Sequence, residues 1–329
     1  MKILVTGGAG YIGSNMVRML VTRGHTPIVV DSLEYGHKQA LPPQVPLVVG
    51  NIKDKAVLDK IFSSYKIDAV IHFAGYLMVE ESVRDPIKYM KNNIIAPMTL
   101  LAVMQEHGVN KIIFSSTAAV YGNPTVIPIP ESHAKNPTSP YGLSKWCFEE
   151  LLRVTDYQHH IKSISLRYFN ACGASLDGLN GEAHKPETHI IPVAIRAAMG
   201  GQKEFLLYGT DYPTRDGSCL RDYIHIEDLA QAHLLALDAL AHGHSTDVYN
   251  LATGEGTTNK EIIETVKKIT EKDFIVKDAP RRAGDPHSLV ADSTRFKKEF
   301  SWKPDYSDIE TIVSSAWKWH KKHPNGYGA

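Results

Sequence analysis

The chain has 329 residues, with 36 basic and 36 acidic side chains that cancel at neutral pH. That balance excludes bulk attraction to nucleic acid or anionic membrane as the basis of its function. At 43% hydrophobic residues, a chain this long can bury a core without a disulfide or metal staple. The three cysteines, Cys147, Cys172 and Cys219, lack C-x-x-C spacing and are expected as reduced thiols. Neither a run of 18 apolar residues nor an export leader is read, so a cytoplasmic protein off the membrane is expected.

KILVT (2–6) reads as a strand, and the helix after it should turn Met16, Met19 and Leu20 inward. Strands PIVVD (27–31) and PLVVG (46–50) follow, then a helix around 54–65 and strand AVIHFAG (69–75). A helix near 87–107 leads to strand KIIFSS (111–116). Short, almost continuous apolar strands alternating with helices predict an α/β fold: a Rossmann-type, doubly wound parallel sheet covered on both faces. Five prolines mark 122–140 as a loop before a helix at 141–159, and SISLRYFN (163–170) resumes the strand pattern. Beyond it come a helix near 190–200, a strand near 205–208, a turn at 209–218, helices at 227–242 and 258–270, and a terminal helix.

TGGAGYIG (6–13) sits between the first strand and the first helix. Gly8, Gly10 and Gly13 fit G-x-G-x-x-G, and Gly7, Gly10 and Gly13 fit the wider G-x-x-G-x-x-G. Small residues there allow a tight turn and let backbone N–H groups approach a pyrophosphate at the helix N-terminus. The second strand ends at Asp31, 18 residues beyond Gly13. A carboxylate at that distance accepts from the adenosine ribose hydroxyls and repels the extra phosphate of NADP. NAD is therefore the expected cofactor.

Tyr141 and Lys145, in YGLSK (141–145), are four residues apart and share a helix face. A free tyrosine, with a pKa of about 10, is a poor base at neutral pH. A lysine cation nearby, aided by a nicotinamide cation, would stabilise the phenolate. Thr117, closing the preceding strand, is placed to orient a substrate hydroxyl, with Ser116 as the alternative.

These pieces, together with HFAG (72–75), FSSTAAVYG (114–122), LRYFNACGA (166–174), RDYIHIEDLA (221–230) and RRAGD (281–285), extend over nearly the whole chain. With them the chain resembles the extended short-chain dehydrogenase/reductase family and, within it, the UDP-glucose 4-epimerases. The resemblance implies tightly held NAD, UDP-glucose and UDP-galactose as substrates, and a homodimer formed around the Tyr-Lys helix. It implies reversible interconversion of the two sugars through a 4-keto-hexose. Tyr141 would take the proton of the 4-hydroxyl, Thr117 would hold the reacting oxygen, and Lys145 would bind the nicotinamide ribose and lower the Tyr141 pKa.

The matching stretches imply cofactor contacts at Gly7, Gly10, Tyr11, Ile12, Gly13, Asp31, Asn51, Ile52, Phe73, Ala74, Gly75, Asn92, Ser115, Tyr141, Lys145 and Tyr168. They imply substrate contacts at Thr117, Tyr121, Tyr141, Asn170, His189, Arg221, Arg282, Asp285 and Leu289. The expected division is an NAD-binding domain over 1–170 and a smaller mixed UDP-sugar-binding lobe over 171–329, with segments around 221–250 returning to the main sheet. No metal site is expected, because neither His72 nor the His159-His160 pair has carboxylate or cysteine spacing around it.

Some positions depart from the resemblance. Asn51 stands where many relatives place Asp near the adenine, and Leu77 where some epimerases carry a lysine. His189, in ETHIIP (187–192), marks one branch of relatives that elsewhere have Asn-Asn. Leu289 falls at the sugar-size gate, and its intermediate bulk favours UDP-glucose and UDP-galactose over N-acetylated sugars. A 4,6-dehydratase is disfavoured, because Ala118 and Ala119 replace the Asp-Glu pair that dehydration needs. The remaining alternatives are a 4-epimerase of UDP-glucuronate or N-acetylated UDP-hexoses, and a nonenzymatic NAD sensor.

Overall fold

The structure, a computed structural model, describes residues 1–282 and 286–328. It divides into two compact units. The first comprises Met1–Asn123, Ala134–Tyr168 and Ala230–Tyr249; the second comprises Pro124–His133, Phe169–Leu229 and Asn250–Ala329.

The first unit is built on parallel strands β1 (Lys2–Thr6), β2 (Thr26–Asp31), β3 (Leu47–Val49), β4 (Ala69–His72), β5 (Lys111–Thr117) and β6 (Lys162–Tyr168). They lie in the order 3-2-1-4-5-6, with Asp247–Leu251 beyond β6 as a seventh strand. Leu4, Val30, Val70 and Ile112 pack against helices Lys55–Tyr65, Ala96–Glu106 and Pro140–His159 in one core. Side chains alternate along a strand, so the equally buried Ile3, Val5, Val29 and Ile71 face the other side. There helix Tyr11–Thr22 buries Met16, Val17 and Leu20, whereas Met19, expected inward, is only half-buried. The order reverses between β1 and β4, and ligands of open α/β sheets bind at the carboxyl ends of such strands.

Two elements differ from the sequence reading. β4 stops at His72, because Phe73 N and Ala74 N both donate to Thr6 O (3.0 and 3.1 Å) and turn the chain across the end of β1. The helix read over 87–107 is instead Pro86–Met90, a π turn over Lys91–Ile95, and Ala96–Glu106. Asp85 caps the first piece by accepting from Lys88 N (3.0 Å). In the wide turn the buried Asn93 accepts from Tyr76 N (2.9 Å) and donates to Tyr76 O (3.0 Å). Such single π turns commonly sit at functional positions.

In the second unit, strand Leu220–His225 pairs in parallel with Asn170–Cys172 and Ser288–Leu289, and antiparallel with Gly256–Thr258. A separate parallel pair joins Glu204–Tyr208 to Ile275–Ala279. Helices Ile190–Ala198, Asn259–Thr270 and Ile309–Lys322 close the core with Ile191, Ile195, Ile262, Val266, Ile312 and Val313. Residues 124–133 join this unit because Ile129 bridges Ala291 and the buried Glu131 carboxylate accepts from Asn250 N (3.0 Å). Of the 221–250 stretch, Leu220–His225 stays in the small sheet; Asp247–Leu251 is the strand in the large one. No described helix is long and apolar enough to cross a membrane.

Candidate active site

The glycine loop leaves β1 at Gly7, whose φ of +68° suits glycine and whose Cβ would lie 2.6 Å from Ala74 N. A Cβ on Gly13 would lie 2.3 Å from Gly7 O, so the loop and the helix close on each other only without side chains. Helix Tyr11–Thr22 starts from Gly10 with no side-chain cap and no acidic residue in its first turn. Its amide end is thus suited to an anion. Asp31, at the end of β2, is buried and accepts from Ala9 N (2.9 Å) and Leu33 N (2.8 Å). Burial raises its pKa while those two bonds oppose the rise. Each carboxylate oxygen has a further lone pair for a hydroxyl. Loop, helix end and carboxylate fit a dinucleotide.

Other expected cofactor residues fall into distinct settings. Tyr11 and Ile12 open the helix half-buried, and Ile52 lies in the core. Asn51 Oδ1 accepts from Lys53 N (3.0 Å). The Phe73 ring stands 5.0 Å from that of His233. At Gly75 a Cβ would lie 3.2 Å from Asn93 Oδ1 and 3.5 Å from Lys145 Nζ, so the glycine leaves room beside both. Asn92 donates through Nδ2 to Asn93 Oδ1 (3.1 Å). Ser115 and Tyr168 bond each other through their hydroxyls.

Thr117 is the last residue of β5. Ser139 caps helix Pro140–His159 by accepting from Gly142 N (3.1 Å), and Pro140 suits its first turn. This start places Tyr141 in the first turn and Lys145 one turn on. The Tyr141 phenol is hydrogen-bonded to the Thr117 hydroxyl. Lys145 Nζ donates to Ser115 O (3.0 Å) and lies 6.0 Å from the centre of the Tyr141 ring. Burial raises the Tyr141 pKa, and the Thr117 bond pulls it back. Burial also lowers the Lys145 pKa to about 8, against the charge of Glu149. The sequence reading gave Lys145 the task of lowering the Tyr141 pKa. In the fold Thr117 is the hydrogen-bond partner of the phenol, while the lysine ammonium is held one turn away by the Ser115 carbonyl.

Ser116, the alternative to Thr117, turns away and donates to Glu149. Tyr121 has no exposed surface, and its hydroxyl accepts from Arg167 Nη1 (2.9 Å). Sequence reasoning missed Glu149, Arg167 and Asn93, which hold this end of the sheet. Tyr141, Lys145 and Glu149 share one helix face at i, i+4 and i+8, and that spacing was the available signal for Glu149.

In the second unit, Leu289 pairs with Arg221 and Asn170 with Tyr223. Strand alternation therefore puts Asn170, Arg221 and Leu289 on one face of the small sheet. Asn170 Nδ2 donates to Asp222 O (2.9 Å), and Arg221 Nη1 to Leu220 O (2.8 Å). Asp222, also missed, is fully buried on the other face. It accepts from Thr253 N (2.9 Å), Thr253 Oγ1 (2.6 Å), Gly254 N (2.9 Å) and Ala291 N (3.2 Å). Burial pushes its pKa up to about 6 against those donors. The Arg282 guanidinium stacks 4.2 Å over the Tyr208 ring. His189 Nδ1 lies 2.7 Å from Glu182 and 2.9 Å from Glu187. Asp285 lies outside the described residues.

Comparison with known proteins gives concordant matches. Residues 3–252 match the NAD dependent epimerase/dehydratase family. A UDP-glucose 4-epimerase of Halalkalibacterium halodurans is 47% identical over 327 residues, covering 99% of this chain and 98% of the relative. The crystal structure of UDP-glucose 4-epimerase from Brucella ovis in complex with NAD is 42% identical, with a TM-score of 0.94 over 96% of this chain and 97% of that one. The Bifidobacterium longum enzyme in complex with NAD+ and UDP is 38% identical, with a TM-score of 0.93 over 99% and 100%. Glycine loop, Tyr-Lys helix and full-length likeness agree: the chain belongs to the NAD dependent epimerase/dehydratase family, in its group of UDP-glucose 4-epimerases.

Proposed function

We propose that this chain is an NAD-dependent isomerase that interconverts UDP-galactose and UDP-glucose through a 4-keto-hexose. The observation that carries the reading is the hydrogen bond of Tyr141 to the buried Thr117, with the buried Lys145 one turn away, at the carboxyl end of the sheet that holds the glycine loop. Gly7, Gly10 and Gly13 let the first helix meet the cofactor pyrophosphate, Asp31 takes the adenosine ribose, and Asn92, Ser115 and Tyr168 complete the cofactor side. NAD held there would supply reversible hydride transfer at sugar carbon 4. Tyr141 removes the proton from the 4-hydroxyl, and Thr117 donates to the phenolate and aligns the reacting oxygen. Lys145, its pKa near 8, is mostly cationic at neutral pH and favours the phenolate through its charge.

Asn170, Arg221 and Arg282, with the backbone of His189, are assigned to the uridine diphosphate. Arginine suits this task because its guanidinium gives directed, charge-assisted bonds to phosphate. Leu289, paired beside Arg221, is assigned to the sugar-size gate. Anchoring the nucleotide supplies remote binding energy while the sugar turns.

The assigned state is a cytoplasmic homodimer. Ile95, Met98, Leu143, Val154 and Tyr157 are all exposed on the helical side of the first unit, Tyr157 at 81%. Such an apolar face on and beside the Tyr-Lys helix supports a second copy there. Sedimentation of the purified chain at micromolar concentration is expected to give a dimer, and a monomer would reject this assignment.

The function is tested by NMR of purified protein with UDP-galactose and, separately, UDP-N-acetylgalactosamine. UDP-galactose is expected to relax to an equilibrium with UDP-glucose, and the N-acetylated sugar to convert more slowly. Equal rates would remove Leu289 from the gate. No change in either sugar with added NAD, set against conversion of UDP-glucuronate, would overturn the hexose assignment.

A further inference from the structure

Within the second unit, Glu182, His184, Glu187 and His189 each bring a ligand atom within 4.8 Å of the other three. His189 Nδ1 lies 2.7 Å from Glu182 Oε1 and 2.9 Å from Glu187 Oε1. His184 Nδ1 lies 3.0 Å from the same Glu182 oxygen and 3.6 Å from Glu187 Oε2. The two carboxylate side chains are only 4% and 8% exposed. Glu187 Oε2 is buried and makes no hydrogen bond. We infer that these four side chains form a zinc site.

The competing explanation is a pair of histidine–glutamate ion pairs. Two such pairs would need only two separate contacts. Here both imidazoles present the same ring nitrogen, Nδ1, to one point, and both meet the same oxygen of Glu182. Tetrahedral zinc with nitrogen and oxygen ligands spaces neighbouring donors about 3.4 Å apart. The histidine–carboxylate separations run from 2.7 to 3.6 Å and all four ligand atoms lie within 4.8 Å of one another, so an ion enters with side-chain shifts of about an ångström. Calcium and magnesium prefer six or more oxygen ligands, whereas imidazole with carboxylate in a four-donor set suits zinc.

All four positions are filled by protein, which makes this a structural site rather than one with an open place for water. The ligands follow an E-x-H-x-x-E-x-H spacing, from Glu182 to His189. His189 is the residue from which helix Ile190–Ala198 starts, and Glu187 Oε1 accepts from Thr188 N (2.8 Å) and His189 N (2.9 Å). The ion would therefore pin segment 182–189 to the start of that helix. The sequence reading expected no metal, having weighed only His72 and His159-His160. The inference does not depend on the proposed reaction.

Elemental analysis of untagged protein, incubated with zinc chloride and freed of excess by gel filtration, tests the site. About one zinc per chain is expected, released by a strong chelator with a fall in melting temperature. Cobalt in its place is expected to give the visible absorption of a four-coordinate ion. Glu182→Gln and His184→Ala should each retain less than about a tenth of the zinc, because each removes one of four ligands. Folded wild-type protein holding under about a tenth of an equivalent would overturn the inference. Undiminished zinc in both variants would overturn the placement. Should both variants fail to fold, the wild-type cobalt spectrum decides: a six-coordinate spectrum counts against the site.

Discussion

Tyr141→Phe is expected to lower the rate of UDP-galactose conversion by about a thousandfold, in the middle of the range for loss of a positioned general base. The substitution keeps the ring and removes the one oxygen that bonds Thr117. Phenylalanine fits the same half-buried position, so the fold should lose no more than one ordinary hydrogen bond, about 1 kcal/mol. Binding of UDP is expected to stay within a few-fold, because Arg221, Arg282 and Asn170 belong to another part of the chain. NMR rates and calorimetric titration with UDP separate the two effects. A loss of rate below about tenfold would take the base away from Tyr141 and pass the role to another group. A matching loss of UDP affinity would instead show that the substitution had disturbed the fold. The pH dependence should sharpen the result. Burial holds the phenol pKa up and the Lys145 pKa down to about 8, so the free protein has little phenolate at neutral pH. Catalysis then depends on the Lys145 charge together with the positive charge that would arrive with the cofactor.

Sequence gave access to the site where its chemistry is local. The glycine loop is eight consecutive residues, and Tyr141 and Lys145 are one helical turn apart, so period and spacing carried both. Thr117 was legible as the end of an apolar strand. The doubly wound parallel sheet was legible too, through the alternation of short apolar runs with helices. What escaped was assembled from distant segments. Asp222 collects donors from Thr253, Gly254 and Ala291, and no period connects those positions. Glu204–Tyr208 pairs with Ile275–Ala279 across a long stretch of chain, which the burial pattern of either strand leaves open. The π turn at Lys91–Ile95 escaped for a different reason: a helix period carries no mark of one inserted residue until Asn93 is seen bonded to Tyr76.

Glu149→Ala is expected to destabilise the protein by about 3–5 kcal/mol, a large share of the 5–15 kcal/mol that a typical folded protein has. Arg167 donates through Nε to Glu149 Oε1 (2.9 Å) and through Nη2 to Oε2, with the two side chains 4% and 2% exposed. Ser116 adds a third bond to the carboxylate, and Tyr121 takes the remaining Nη1 of the arginine. Alanine would leave a guanidinium desolvated with no counter-charge, and that, rather than the lost attraction, sets the magnitude. It follows that Arg167→Ala in the Glu149→Ala background should cost much less than Arg167→Ala alone. A double-mutant cycle on urea midpoints should show coupling of several kcal/mol. A cost below about 1 kcal/mol for Glu149→Ala, or simple additivity, would sink this account. The network also reaches the chemistry. Glu149 is one turn beyond Lys145 and its charge opposes the fall in the lysine pKa; Ser116 adjoins Thr117. Glu149→Gln keeps the shape and removes the charge, so the Lys145 pKa should drop further below 8 and the alkaline limb of the activity profile should move to lower pH. A profile unchanged in position, with stability lost, would confine Glu149 to holding β5, β6 and the helix together.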